Sequence, residues 1–517
     1  MTIPVVQISS GRLAGVARAG DHAYLGVPFA EPPVGALRFA PPRLAEPWEG
    51  TRPATSFGAT PLRIEAPGLI PEPAIPGDST LNVNVFTPDP SPDARLPALV
   101  WIHGGGYTGG SPASPWYDGA AFSRAGIVTV VISYRLGFDG FGAIPGGPCN
   151  LAVQDWLLAL EWVQRNIAAF GGDPGRVTLG GQSAGAGAVL TLLGMPRASG
   201  LFRAAWASSP VLPVRTRDDA EATALRLARR LGIAAGAGSA AGPGSGSGAG
   251  LTAALAALPE ARVLAEQGAA ARAHGLSLSG RIEREPAFSP IVDGELVPEP
   301  TLAALGRGVG ADIPVVIGSN DHEIVFPDGP LLSLVRHAPS RLVLRATGVS
   351  GEALQEYASA QASAGVADGK AALEQEISDR VFRRNVVRVA EARRAAPDPE
   401  RDPDPDPGPR PEAAPTRAYR FAWPSPTKGA AIHCLDVPFL WNVLDHQDVP
   451  ALAGERPPRE LADALHGAVV AHVLGDPAPW PAWDGTRRRV AVLGGAAGTV
   501  AVQDDGYASL AALVPEG

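Results

Sequence analysis

Cysteine is scarce: the 517 residues contain only Cys149 and Cys434. A disulfide framework is therefore excluded, and two thiols allow at most one bridge. Basic residues are outnumbered, 43 Lys and Arg against 52 Asp and Glu, and the net charge is −9 with no long basic run. This argues against a nucleic-acid partner. No apolar stretch approaches the roughly 18 residues that a membrane-spanning helix needs; the runs near Leu99 and Val128 are far shorter. The first ten residues carry no basic region followed by an apolar one. No secretory leader is expected on that ground, and a cytoplasmic protein is the default reading. What is present is 45% hydrophobic and 18% charged residues, which suits a large core.

Residues 1–230 alternate strand-like and helix-like segments. Ala98–Ile102 and Val128–Ser133 are short runs rich in β-branched residues, each bounded by glycine or a charged turn, as buried strands are. Val153–Ala169 repeats apolar residues at helical spacing through Trp156, Leu160 and Val163. Arg176–Leu179 reads as a strand and Ala184–Leu193 as a helix. The alternation predicts an α/β fold: a large, twisted, mostly parallel sheet with helices on both faces. Length alone would suggest about three domains, but large α/β enzymes depart from that prior. Ala234–Gly250 is built from Ala, Gly, Ser and Pro only, and Ala396–Pro415 is dominated by Pro, Asp and Arg. Neither stretch offers enough apolar surface to offset chain entropy, so both are expected to be disordered insertions in one domain spanning 1–517. Interdomain linkers are the competing reading.

Gly181-Gln182-Ser183-Ala184-Gly185 matches the G-x-S-x-G nucleophile elbow. A serine at a sharp strand-to-helix turn occupies a strained backbone conformation, and flanking glycines let neighbouring chain approach without Cβ clashes. The context agrees, with Val177-Thr178-Leu179 before the motif and a small-residue helix after it. Some 80 residues earlier, His103-Gly104-Gly105-Gly106 ends the strand that runs to Ile102. Backbone N–H groups of Gly105 and Gly106, joined by that of Ala184, are candidate donors to a substrate oxyanion. A merely flexible glycine-rich loop is the bland alternative.

An elbow of this type predicts the chain order serine, acid, histidine. Of the nine histidines, His22 and His103 precede Ser183. His466 and His472 lie on the helical pattern Leu461–Leu474 and are read as helix-surface residues; His274 sits in a polar segment with no strand before it. His337 and His446 are weaker rivals of His433, which follows the strand-like Ala418–Trp423 and a Pro/Gly/Ser turn. Ile313–Gly318 reads as a buried strand and leads into Asp321-His322-Glu323. Glu323 is the favoured acid; Asp321 and Asp293 are alternatives, the latter read as a structural turn.

Taken in order, these motifs resemble the type-B carboxylesterase family, which includes para-nitrobenzyl-esterase-like enzymes and the cholinesterases. Gly26–Phe39, Asn84–Pro88, Tyr134–Gly137, Asn150 with Asp155, Phe170–Pro174 and Trp480–Trp483 extend the resemblance over nearly the whole chain. It implies a serine esterase acting through Ser183, Glu323 and His433, without metal or organic cofactor. Small aryl or short-chain alkyl esters are the implied substrates, for a monomer or weak homo-oligomer. An amidase, carbamate hydrolase or thioesterase with the same triad competes with this, as does a non-catalytic binding protein on the same scaffold. Pro61–Gly77, Tyr107 and Trp116 are candidates for the pocket rim, with Gln182 beside the nucleophile; ordinary packing is the alternative for each. Departures are also visible. Gln182 stands where the family usually has Glu, which removes a carboxylate from the nucleophile's side. Ser79-Thr80 replaces the segment bearing an early disulfide, Pro210 a glycine, and His322 an Asp. By the same resemblance Asp78 is expected to pair with Arg38.

Overall fold

The computed structural model describes residues 3–64, 68–233, 247–272, 286–394, 413–496 and 498–514. His274 and most of the two low-complexity stretches lie outside them. The stretches' last residues are described: Ser247 opens the helix Ser247–Ala256, and 413–415 lead into a strand.

Eleven strands form one mixed sheet. In chain order they are β1 (Val16–Arg18), β2 (Asp21–Pro28), β3 (Asn82–Thr87), β4 (Leu96–Ile102), β5 (Val128–Ile132), β6 (Gly172–Gln182), β7 (Ala204–Ser208), β8 (Val315–Asn320), β9 (Thr416–Phe421), β10 (Val490–Gly495) and β11 (Gly498–Gln503). Across the sheet the order is β11-β10-β9-β8-β7-β6-β4-β5-β3-β2-β1. The seven central strands, β10 to β5 in that order, run parallel. The flanking strands β11, β3, β2 and β1 join antiparallel.

Parallel strands need covering on both faces, and the side-chain period of two divides them between two cores. Ala98, Val100 and Ile102 of β4 pack with helices α1 (Leu151–Asn166) and α2 (Ala184–Leu193). Leu99 and Trp101, pointing the other way, pack with the later helix Arg459–Leu474. Helices α3 (Arg217–Arg230) and α4 (Glu260–Ala271) pack on one another beside the first core; Arg459–Leu474 is α5.

A buried Arg135–Asp155 pair at 2.7 Å joins the chain after β5 to α1, and the same guanidinium donates to Ala40 O at 2.8 Å. Asn150 bridges to the backbone of Ile291 and to Asp293. Asp293 is a turn residue: one carboxylate oxygen accepts from the amides of Glu295, Leu296 and Val297.

Two expectations are corrected. Arg38 pairs with Asp139 at 2.7 Å and not with Asp78, which is exposed. The guanidinium turns inward because the carbonyls of Leu255, in the last turn of the helix Ser247–Ala256, and of Leu258, just beyond it, accept its other protons. His466 and His472 are buried, not on the helix surface. Their rings bond to Leu440 O at 2.8 Å and Ala205 O at 3.0 Å, and burial pushes His472 down to about 4. Both cysteines are free and buried, so no bridge forms.

Candidate active site

Ser183 sits between the end of β6 and the start of α2, with φ 58° and ψ −123°. That conformation is costly for any residue with a Cβ. Close packing enforces it: a Cβ on Gly185 would lie 2.0 Å from Ile102 O, and one on Gly181 would lie 2.5 Å from the Gly185 carbonyl carbon. Ser183 N donates to Ser208 O at 2.8 Å, which ties the turn to β7.

The loop after β8 brings in Glu323 and the loop after β9 brings in His433. Ser183 Oγ lies 2.9 Å from His433 Nε2, and His433 Nδ1 lies 2.6 Å from Glu323 Oε2. The second carboxylate oxygen of Glu323 accepts from Asn320 N at 2.8 Å, and Glu323 is 2% exposed. His433 N donates to Glu323 O at 3.0 Å, so backbone and side chain fix the same pair. Phe382 packs on the ring, centroid to centroid 4.5 Å. Burial alone disfavours the imidazolium, but Cys434 and the Glu323 carboxylate outweigh it and hold the ring well above the usual histidine pKa. A hydroxyl hydrogen-bonded to an imidazole that leans on a buried carboxylate can release its proton to the ring as it attacks a carbonyl.

Opposite lies the loop after β4. Gly105 has φ 110°, and a Cβ there would meet Gly109 C at 2.3 Å, so only glycine fits the fold-back. Among the described residues, neither the Gly105 nor the Gly106 N–H has a protein acceptor. Ala184 N is the first amide of α2, where helical geometry supplies no acceptor. His103 anchors the loop: Nδ1 is 2.8 Å from Gly104 O, the ring stacks on Tyr134, and burial depresses it to about 4. It stays neutral at physiological pH.

Ser183, His433, Gly105 and Gly106 open into a cavity of about 930 Å³. Gln182 lines it, with its amide nitrogen 3.2 Å from both His433 Nε2 and Cys434 Sγ. Residues of the 61–77 segment line it too, among them Arg63, Ile70 and Glu72. Tyr107 and Trp116 do not; both are fully buried behind the site, Tyr107 against Phe141 and Trp156. Asp321 points away, bonded to Arg420 at 2.8 Å. Sequence reasoning missed Cys434, Lys428 and Gln267 as lining residues. Adjacency to His433 was a signal for Cys434; Gln267 arrives from the distant helix α4 and left none. Among the described residues, no three His, Cys, Asp or Glu side chains converge as a metal site would require.

A mostly parallel sheet, an elbow serine above its edge, and histidine and acid on later strand-end loops define an α/β-hydrolase. More narrowly, the chain belongs to the carboxylesterase family, whose profile matches residues 2–444, and it is a carboxylic ester hydrolase. It is 30% identical to the para-nitrobenzyl esterase of Bacillus subtilis over 95% of each chain. It is 31% identical to the phenmedipham hydrolase of Pseudarthrobacter oxydans over 96% of each. Among crystal structures, a carboxylesterase of Geobacillus stearothermophilus superimposes with a TM-score of 0.79 at 30% identity, covering 98% of this chain and 99% of that one. Among the described residues no helix is long and apolar enough to cross a membrane.

Proposed function

We propose that this esterase hydrolyses small aryl or short-chain alkyl esters through an acyl-enzyme on Ser183. The observation that carries the reading is the unbroken line of hydrogen bonds Ser183–His433–Glu323, at 2.9 and 2.6 Å. Ser183 Oγ attacks the ester carbonyl as His433 Nε2 takes its proton. The oxyanion that forms is held by the amides of Gly105, Gly106 and Ala184. The tetrahedral intermediate collapses, the ester C–O bond breaks, and His433 returns the proton to the departing alkoxide. Water then attacks the acyl-enzyme with the same ring as base, releasing the acid and regenerating the hydroxyl. Glu323 keeps the ring in the tautomer with Nδ1 protonated and steadies its cation.

The test is pre-steady-state hydrolysis of p-nitrophenyl acetate and butyrate. A burst of p-nitrophenol stoichiometric with enzyme, absent in Ser183→Ala, is the expected result. A full burst in that variant overturns the assignment. A panel of matched esters, thioesters, amides and carbamates ranks the leaving groups, with esters expected first.

A further inference from the structure

Two cavities meet at the loop that carries Gly105 and Gly106. The second, of about 1140 Å³, shares Ile64, Gly106, Thr108 and Gln267 with the first but touches neither Ser183 nor His433. Their charges differ. The first balances Arg63 and Lys428 against Glu72 and Asp448. Among the described residues the second carries Arg215, Arg226, Arg230 and Arg272 against Asp219 alone. Arg230 is partly neutralised by Glu266 at 2.6 Å. Arg226 is held differently: Nε donates to Ala270 O at 2.8 Å and Nη2 to Thr223 Oγ1 at 2.9 Å. Among the described residues it has no carboxylate partner, so its charge is fixed in place by neutral acceptors. Arg215 is buried, its guanidinium 5.4 Å from the centroid of the Phe288 ring on the same wall.

The chemistry orients a substrate between the two. Resting on the acyl-transfer reading above, the departing alcohol must face His433 to receive its proton, and therefore lies in the first cavity. The acyl arm leaves the carbonyl carbon on a different bond from the oxygen that faces Gly105 and Gly106, and Gly106 and Thr108, which line both cavities, offer it a path into the second. We propose that this cavity binds an acyl arm ending in a carboxylate, so that the preferred substrates are half-esters of dicarboxylic acids. Arg226 is the principal specificity residue. Its planar, always-charged guanidinium suits a carboxylate.

The experiment compares p-nitrophenyl hydrogen adipate with p-nitrophenyl methyl adipate, an uncharged arm of nearly equal length. A kcat/KM about tenfold higher for the acid is expected, as one charge-assisted hydrogen bond supplies. In Arg226→Gln the ratio should fall to about parity; because both esters are measured on the same preparation, partial loss of folded protein cancels. Should that variant fail to fold, the wild-type ratio at about 20 and about 500 mM KCl decides, since added salt screens this attraction and leaves the neutral ester unaffected. Parity in the wild type, a ratio that survives Arg226→Gln, or a ratio indifferent to salt overturns the proposal. If the methyl adipate is turned over through Ser183 at parity, only this inference fails; if neither ester is hydrolysed, both readings fail.

Discussion

His433 stands between opposing influences, and in the proposed mechanism its proton affinity sets when it can serve as a base. Burial favours the neutral ring, yet Cys434 and the Glu323 carboxylate carry it well above the ordinary histidine value. Below that raised pKa the ring is charged and cannot accept the Ser183 proton. Esterase activity should therefore climb with pH through neutrality into the alkaline range. Glu323→Gln removes the nearest negative charge while keeping the shape. Its pH–kcat/KM midpoint should move to lower pH, and its maximal rate should fall about a thousandfold or more. An unmoved midpoint would mean that the carboxylate does not govern the ring. Gln182→Glu acts in the opposite sense. It puts a carboxylate where an amide now lies 3.2 Å from Nε2, so the midpoint should move up. At this scale chain order and motif chemistry were enough to single out Ser183, Glu323 and His433, which the fold brings within hydrogen-bond reach of one another. It was silent on which aromatic side chains reach the cavity. Tyr107 and Trp116 sit near the oxyanion loop in sequence, but the fold turns both inward.

The strand–turn–helix that holds Ser183 works by contact without slack. Every residue of α2 is buried, and its glycines press on backbone from other elements. Gly185→Ala would put a methyl 2.0 Å from Ile102 O, and neither β4 nor α2 can yield. Overpacking of this kind costs about 1–3 kcal/mol, and the displaced helix start would also shift the Ser183 and Ala184 amide positions. A lowered Tm together with a lost p-nitrophenol burst is expected; thermal melts and burst amplitude measure both. Elements were legible from periodicity to within a few residues. The strand expected at Ile313–Gly318 runs from Val315 to Asn320, and the one expected at Ala418–Trp423 runs from Thr416 to Phe421. Burial of helix α5 was misjudged because polar histidines on it were taken to face water. Carbonyls of Leu440 and Ala205 satisfy those rings inside the protein, and no local pattern encodes such distant partners.

Across the whole molecule, few polar links carry much of the positional information. Arg135 and Asp155 are buried together, and the guanidinium also reaches the chain that follows Arg38. Asp155→Asn would leave a buried cation without its counter-charge, a loss of about 3–5 kcal/mol. Urea denaturation should show a midpoint lowered with an unchanged slope, while the fraction still folded keeps its Ser183 labelling by a fluorophosphonate. Fold class was determined by the sequence itself: short β-branched runs alternating with amphipathic helices can bury their apolar faces only as a doubly covered parallel sheet. The serine turn at Ser183, the proposed nucleophile, was legible there as well, because a strained serine turn needs glycines at fixed offsets. Tertiary structure alone decided the rest. It chose Asp139 over Asp78 as the partner of Arg38, kept Cys149 and Cys434 apart, and set four arginines around the second cavity. Such outcomes depend on which side chains meet after the chain has crossed the sheet many times. Charge and hydrogen bonding act over a few ångströms in space, and separation along the chain does not reveal that distance.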